Sequence, residues 1–218
     1  MQTKSKALIL LLCAMLLVVS TVFGTIAYLT SEDKAVNTFT VGNVSIKLDE
    51  ADVNLDGTPI EGADRVDGNE YHLIPGQTYI KDPTVTVLEG SENSYIRMLV
   101  TINKISELKL ALGDDFLPEN YVTGWDSSIW SCVANTDNGD NTITYEFRYY
   151  KTVDTFNTDA DIVLEPLFKS FTLPGEITGE ELAKISNLEI TVVANAIQSL
   201  GFDDADTAWV AFDEQMNK

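Results

Sequence analysis

The sharpest chemical pattern in the chain is Asp52-Val53-Asn54-Leu55-Asp56-Gly57. Oxygen donors at alternate positions, followed by a glycine for the turn, make the first half of a calcium loop in which Asp52, Asn54 and Asp56 are the candidate ligands. The second half departs from that pattern. Counting Asp52 as position one, position twelve is Ala63, where a bidentate carboxylate is needed, and Pro59 interrupts any following helix. Calcium is therefore the one metal the residues suggest, against the plainer reading of a solvated acidic turn.

Other constellations for catalysis are thin. A zinc peptidase needs two histidines one helical turn apart and a glutamate as base. This chain has one histidine, His72, beside Tyr71 in a strand-like segment. A serine or cysteine nucleophile would depend on that histidine or on lysine. Cys13 lies within an apolar run, which leaves Cys132 as the one other thiol; its plain reading is a small buried apolar residue. Trp125, Trp130 and Tyr121 cluster in sequence and offer a sugar-stacking surface, although core or edge packing is the commoner use of such residues. Arg97 and Arg148 fall in expected strands, where they pair with some of the many acids.

These residues need a scaffold, and the periodicity points to strands. From Asn37 to Leu48 the apolar positions are first odd (Phe39, Val41) and then even (Val44, Ile46, Leu48), so the face switches at Gly42-Asn43 through a bulge or turn. Asp49 to Glu70 is acidic and glycine-rich and reads as a surface loop. Strands are expected over Thr78 to Leu88, Tyr95 to Ile105, Val163 to Leu173 and Leu188 to Gln198. Trp130 to Ala134 and Thr142 to Tyr150 flank Asp137-Asn138-Gly139-Asp140, a hairpin turn signal. A short helix is expected from Ser106 as N-cap to Leu112, closed by Gly113. A second follows the Thr178-x-x-Glu181 capping box to Ile185, and a last one carries Ala208, Trp209 and Phe212 behind Asp203 or Asp204. The expected class is all-β, a sandwich with two or three short helical insertions.

The 218 residues contain 34 acids against 14 bases, a formal charge of −20. Such a surface repels nucleic acid and anionic lipid and attracts cations or basic partners. The N-terminus differs: Lys4 and Lys6 precede an apolar run from Ala7 to Phe23, then the small residues Gly24, Thr25 and Ala27. That is the anatomy of a secretory signal, with cleavage expected between Ala27 and Tyr28. The competing reading is a retained membrane helix over Ala7 to Ile26, long enough to span a bilayer. With cleavage, residues 1–27 are the signal and 28–218 one exported domain. Contact with membrane is then limited to the signal before it is cut.

Gly24-Thr25-Ile26-Ala27-Tyr28, the acidic Glu32-Asp33, and Asn37-Thr38-Phe39-Thr40-Val41-Gly42 together resemble the signal junction of the TasA and camelysin family of secreted bacterial proteins. Leu73-Ile74-Pro75-Gly76-Gln77, Tyr95-Ile96-Arg97, Ala194-Asn195-Ala196-Ile197-Gln198, Gly201-Phe202 and Ala208-Trp209 extend the resemblance to the C-terminal end. It implies a jelly-roll-like fold, export through a SipW-type signal peptidase, and assembly into biofilm-matrix fibres outside a bacterium or on its surface. It also implies a donor segment, residues 28–41, in which Phe39 and Val41 fill pockets of the next subunit. The partners would be further copies of the chain or other matrix subunits. Members of the family have also been described as metallopeptidases, so the alternatives are a secreted metal-dependent peptidase and a surface adhesin for glycan or protein. The resemblance implies a structural protein that is not an enzyme, and the residues suggest no cofactor beyond the calcium candidate.

Overall fold

Strands form where β-branched and aromatic residues alternate with polar ones, and their order sets everything that follows. In the computed structural model, which describes residues 43–114 and 116–216, the chain runs β1 (Ile46–Asp49), β2 (Thr78–Ile80), β3 (Thr84–Val87), β4 (Ser94–Ile102), α1 (Ile105–Leu112) and a 3-10 turn (Pro118–Asn120). It continues through β5 (Val122–Thr123), β6 (Trp130–Asp137), β7 (Ile143–Tyr149), β8 (Ile162–Val163), β9 (Ser170–Thr172), α2 (Gly179–Lys184), β10 (Ile190–Gln198) and α3 (Ala205–Met216). The described chain is all-β with three helices. Its sheets are antiparallel, with strand orders β10-β4-β7-β6, β1-β3-β8 and β2-β9-β5. The signal, the Ala27–Tyr28 junction and the assembly residues Phe39 and Val41 lie outside the described residues.

The four-stranded sheet follows directly from the alternation in β4. Ile96, Met98, Val100 and Ile102 face inward and are buried. Register places Ala194 and Phe147 beside Met98, Val192 and Tyr145 beside Val100, and Ile190 and Ile143 beside Ile102, which makes cross-strand apolar rows. At the other end Ile96 pairs with Ala196, and Tyr149 pairs with Trp130 on β6. Because Ala194 and Ala196 are small, β1 can pack close against β10, and the core joins them to Val44 and Ile46.

Two strands expected to be continuous are broken, and at the same level. The Thr78 to Leu88 segment splits into β2 and β3 at Lys81-Asp82-Pro83; Val163 to Leu173 splits into β8 and β9. Pro83 has no N–H to give to a ladder, so the strand bends there. Hydrogen bonds Lys81 N to Lys169 O, Leu167 N to Pro83 O and Leu164 N to Val85 O stitch the two breaks together. The β1-β3-β8 and β2-β9-β5 sheets are thus successive parts of one bent layer.

The caps show where local signals compete with distant ones. Asp204 Oδ1 accepts from Thr207 N at 2.8 Å, and Thr178 with Glu181 forms a complete capping box, as the sequence indicates. Ser106 does not cap α1. The helix begins one residue earlier, at Ile105 behind Lys104, and Asn141 of the β6–β7 loop accepts from Ser106 N (2.8 Å) and Ile105 N (3.2 Å).

The acidic segment after β1 runs mostly over the surface, as its composition suggests, but it is anchored at its start. Asp49 and Glu50 at its start are buried. Lys81 Nζ lies 2.8 Å from Glu50 Oε2 with both side chains almost wholly enclosed, and Arg65 spans Asp49, Asp82 and Thr84. Burial alone would raise the Asp49 carboxyl, but hydrogen bonds and charge from Lys47 and Arg65 hold it below its ordinary value.

Removing one partner of the enclosed Lys81–Glu50 pair strands the other charge, so Lys81→Met should cost about 3–5 kcal/mol in urea unfolding. Glu50→Gln with Lys81→Met should recover much of that loss; a double variant as unstable as the single would exclude an ion-pair origin. For Asp49 the sign follows from a lowered folded-state value. Its contribution is full at neutral pH and is lost as pH falls through that value, so the stability gap between parent and Asp49→Asn should close below about pH 4. A gap that stays constant down to pH 2 would show that the charge on Asp49 is immaterial.

Candidate functional site

The sequence-predicted sites fall into separate places. Asp52, Asn54 and Asp56 share one tight turn, closed by the Val53–Pro59 bridge and by Asn54 N donating to Thr58 O at 2.9 Å. Asp56 Oδ1 accepts from Thr58 N (3.0 Å) and Oγ1 (2.6 Å), which lowers its carboxyl below the usual value. Asn54 turns its amide nitrogen to Thr58 Oγ1 at 3.1 Å. Two of the three candidate ligands therefore serve the turn itself. Gly57 is required there: at φ 76° its missing Cβ would lie 2.6 Å from Tyr79 Cα. Among the described residues no group of three or more His, Cys, Asp or Glu side chains is placed to hold a metal ion.

His72 is exposed and lies outside any strand, with its backbone N–H on Leu55 O (2.7 Å) and its carbonyl receiving the Tyr79 hydroxyl (2.9 Å). Its backbone, not its ring, ties the loop to the Tyr79–Phe171 stack, whose rings are 5.0 Å apart. Trp130 is 1% exposed, and its indole N–H donates to Glu165 O at 2.9 Å. Trp125 donates to Trp130 O at 2.8 Å and meets Phe147 edge-on. Trp130 is thus core packing, whereas Trp125 and Tyr121 are half-buried. Cys132, read from sequence as buried, is exposed: among the described residues β6 is the edge of its sheet, with no further strand beside it.

The two strand arginines do pair with acids. Arg97 lies on the outer face of β4, only 3% exposed, and donates to Asn195 Oδ1 (3.1 Å) and Asp213. Its guanidinium carbon is 4.4 Å from the Trp209 ring centre and 5.1 Å from that of Phe212. Arg148 reaches Glu146 and Asp206. Together they dock α3 across the sheet, burying Ala208, Trp209 and Phe212 against Ile197.

The surface feature that local signals did not reveal is the free side of β6. Trp130 N donates to Asp126 O, but beyond Trp130 no backbone hydrogen bond engages that side among the described residues. From Ser131 to Thr136 it carries neither charge nor proline. Edge strands in general are protected by charged residues, prolines or bulges; here the one such device is a bulge between Cys132 and Ala134. Seeing this required the strand order, which no single segment reveals. Among the described residues no helix is long and apolar enough to cross a membrane. No family model, curated protein or solved structure matches the chain.

Because Asp56 and Asn54 already serve Thr58, calcium should raise the thermal unfolding temperature of the parent no more than that of Asp56→Ala. A rise confined to the parent would assign calcium to this turn.

Proposed function

We propose that this chain is a secreted structural protein of an extracellular, biofilm-type matrix, built on a jelly-roll-like β-sandwich, which assembles into fibres by N-terminal strand addition. The observation that carries the reading is the β6 edge: an eight-residue strand whose free side is uncharged from Ser131 to Thr136, in a protein with 34 acids. Strand addition takes its affinity from main-chain hydrogen bonds and its selectivity from alternate side chains. The segment from Tyr28 to Val41, with Phe39 and Val41 on one face, has the length and alternation to be that strand. Each copy that lends a strand keeps its own edge free, so the contact is head-to-tail and propagates. The junction's resemblance to the TasA and camelysin family supports the same reading. The partners are further copies of this chain or other matrix subunits, after a signal peptidase cuts between Ala27 and Tyr28.

The acidic balance acts as a brake on assembly. At neutral pH the copies repel, and salt, divalent cations or approach to the isoelectric point near 4.1 weaken that repulsion.

Electron microscopy of the form beginning at Tyr28 should show filaments, more of them in mild acid or added salt. A chain lacking residues 28–36 should stay monomeric and folded. Val133→Lys with Thr136→Lys, which charges the β6 edge without touching the core, should reduce filaments at equal stability. Intact fibres from the truncated chain would refute strand donation, and undiminished fibres from the edge variant would move the acceptor elsewhere.

A further inference from the structure

Between the inner face of the four-stranded sheet and the segment from α1 to β5 lies a cavity of about 110 Å³. Val100 and Ile102 of β4 and Tyr145 and Phe147 of β7 form its floor, and Leu108 and Leu112 of α1 form a wall. Its mouth is marked by two lining residues that are themselves exposed, Cys132 and Glu119. Among the described residues Glu119 is the single charged one that lines it.

This space is more than loose packing at a surface. On β7, Ile143, Tyr145 and Phe147 face inward and pair with the buried Ile102, Val100 and Met98, yet all three are only half-buried. The inward faces of Tyr145 and Phe147 open onto the cavity. A cavity with apolar walls stays dry and takes apolar molecules; an engineered space of about 150 Å³ lined by aliphatic and aromatic residues holds benzene. The volume here is of that order and is open at one end, which suits a single ring with its substituent at the mouth. The head group meets a defined chemistry there. The Tyr145 hydroxyl makes no hydrogen bond to another described residue, and it lies near Cys132 and Glu119, whose charge also pushes both groups' ionisation upward after burial. A carboxylate at the mouth of a protein of formal charge −20 disfavours an anion.

We propose that this cavity binds a one-ring aromatic molecule carrying a neutral or cationic head group, with the ring among Val100, Leu108 and Phe147 and the head group at Tyr145. The site does not depend on strand addition, and it can be occupied in a monomer. Cys132 is the one cysteine in the chain from Tyr28 onward, so its labelling reports on the mouth directly.

The test uses the form beginning at Tyr28, which contains every described residue, with benzyl alcohol, benzylamine and benzoate as matched neutral, cationic and anionic probes. Benzyl alcohol and benzylamine should raise the thermal unfolding temperature by a few degrees at saturation. They should also slow the labelling of Cys132 by N-ethylmaleimide several-fold. Benzoate should do neither, and Glu119→Gln should let benzoate protect. Val122→Phe and Leu112→Phe, two independent ways to fill the cavity, should each abolish protection while the protein stays folded. Absence of both the thermal shift and the protection with all three probes would overturn the proposal, as would protection by benzoate equal to that by benzyl alcohol in the parent. Protection without any probe that grows with protein concentration would also overturn it, because the occupant would then be a second copy. Fibre formation is read separately and does not enter these outcomes.

Discussion

Burying the guanidinium of Arg97 on the central strand is the constraint around which the outer half of the molecule is arranged. A charge so enclosed is tolerable only with partners of high quality, because its desolvation is worth several kcal/mol and must be offset at once. One bond comes from Asn195 on one adjacent strand, and Glu146 on the other lies 3.9 Å away; α3 adds Asp213 and the rings of Trp209 and Phe212. The C-terminal helix is therefore held at one position and one rotation about its axis. The same docking gives the apolar stripe Ala208, Trp209 and Phe212 something to cover, so a charge requirement and an apolar requirement have a single solution.

The inner half is organised by a different rule, the matched break in two strands. A proline at position 83 bends one strand and the partner bends with it, because the hydrogen bonds at Lys169, Pro83 and Val85 cross the break. Beside this bend sits the ionic cluster of Glu50, Lys81, Asp49, Arg65 and Asp82. Lys81 and Asp82 belong to the bend itself, so the acidic segment is anchored to the point where the layer changes direction. The turn at Gly57, pressed against Tyr79, anchors the same segment a second time. A loop that is acidic in composition is thereby tied down at its start by two cations and in its middle by an aromatic ring.

What could be read from sequence follows from the range of each interaction. The period-two alternation of β4, the turn signal between β6 and β7, the Thr178–Glu181 box and the Asp204 cap are contained within a few residues, and all were legible. The start of α1 was not, because its cap is Asn141, brought from another loop. Nor were the breaks at Pro83 and after Val163, since apolar residues continue through both and only the change of sheet distinguishes them. Cys132 has the character of a buried residue; its exposure depends on β6 being last in its sheet, a property of topology. The turn at Asp52–Gly57 shows the limit from the other side. Its residues match a metal loop in type and spacing, yet Asp56 and Asn54 bond within the turn.

The bulge between Cys132 and Ala134 bears on shape at a larger scale. An extra residue on one strand increases the local right-handed coiling of the edge, and adjacent strands in any sheet are already rotated by roughly 20–25° relative to one another. A chain of copies joined along such an edge would not lie flat as a ribbon; each would be turned about the long axis relative to the one before. A single inserted residue would in this way set the pitch of the whole assembly.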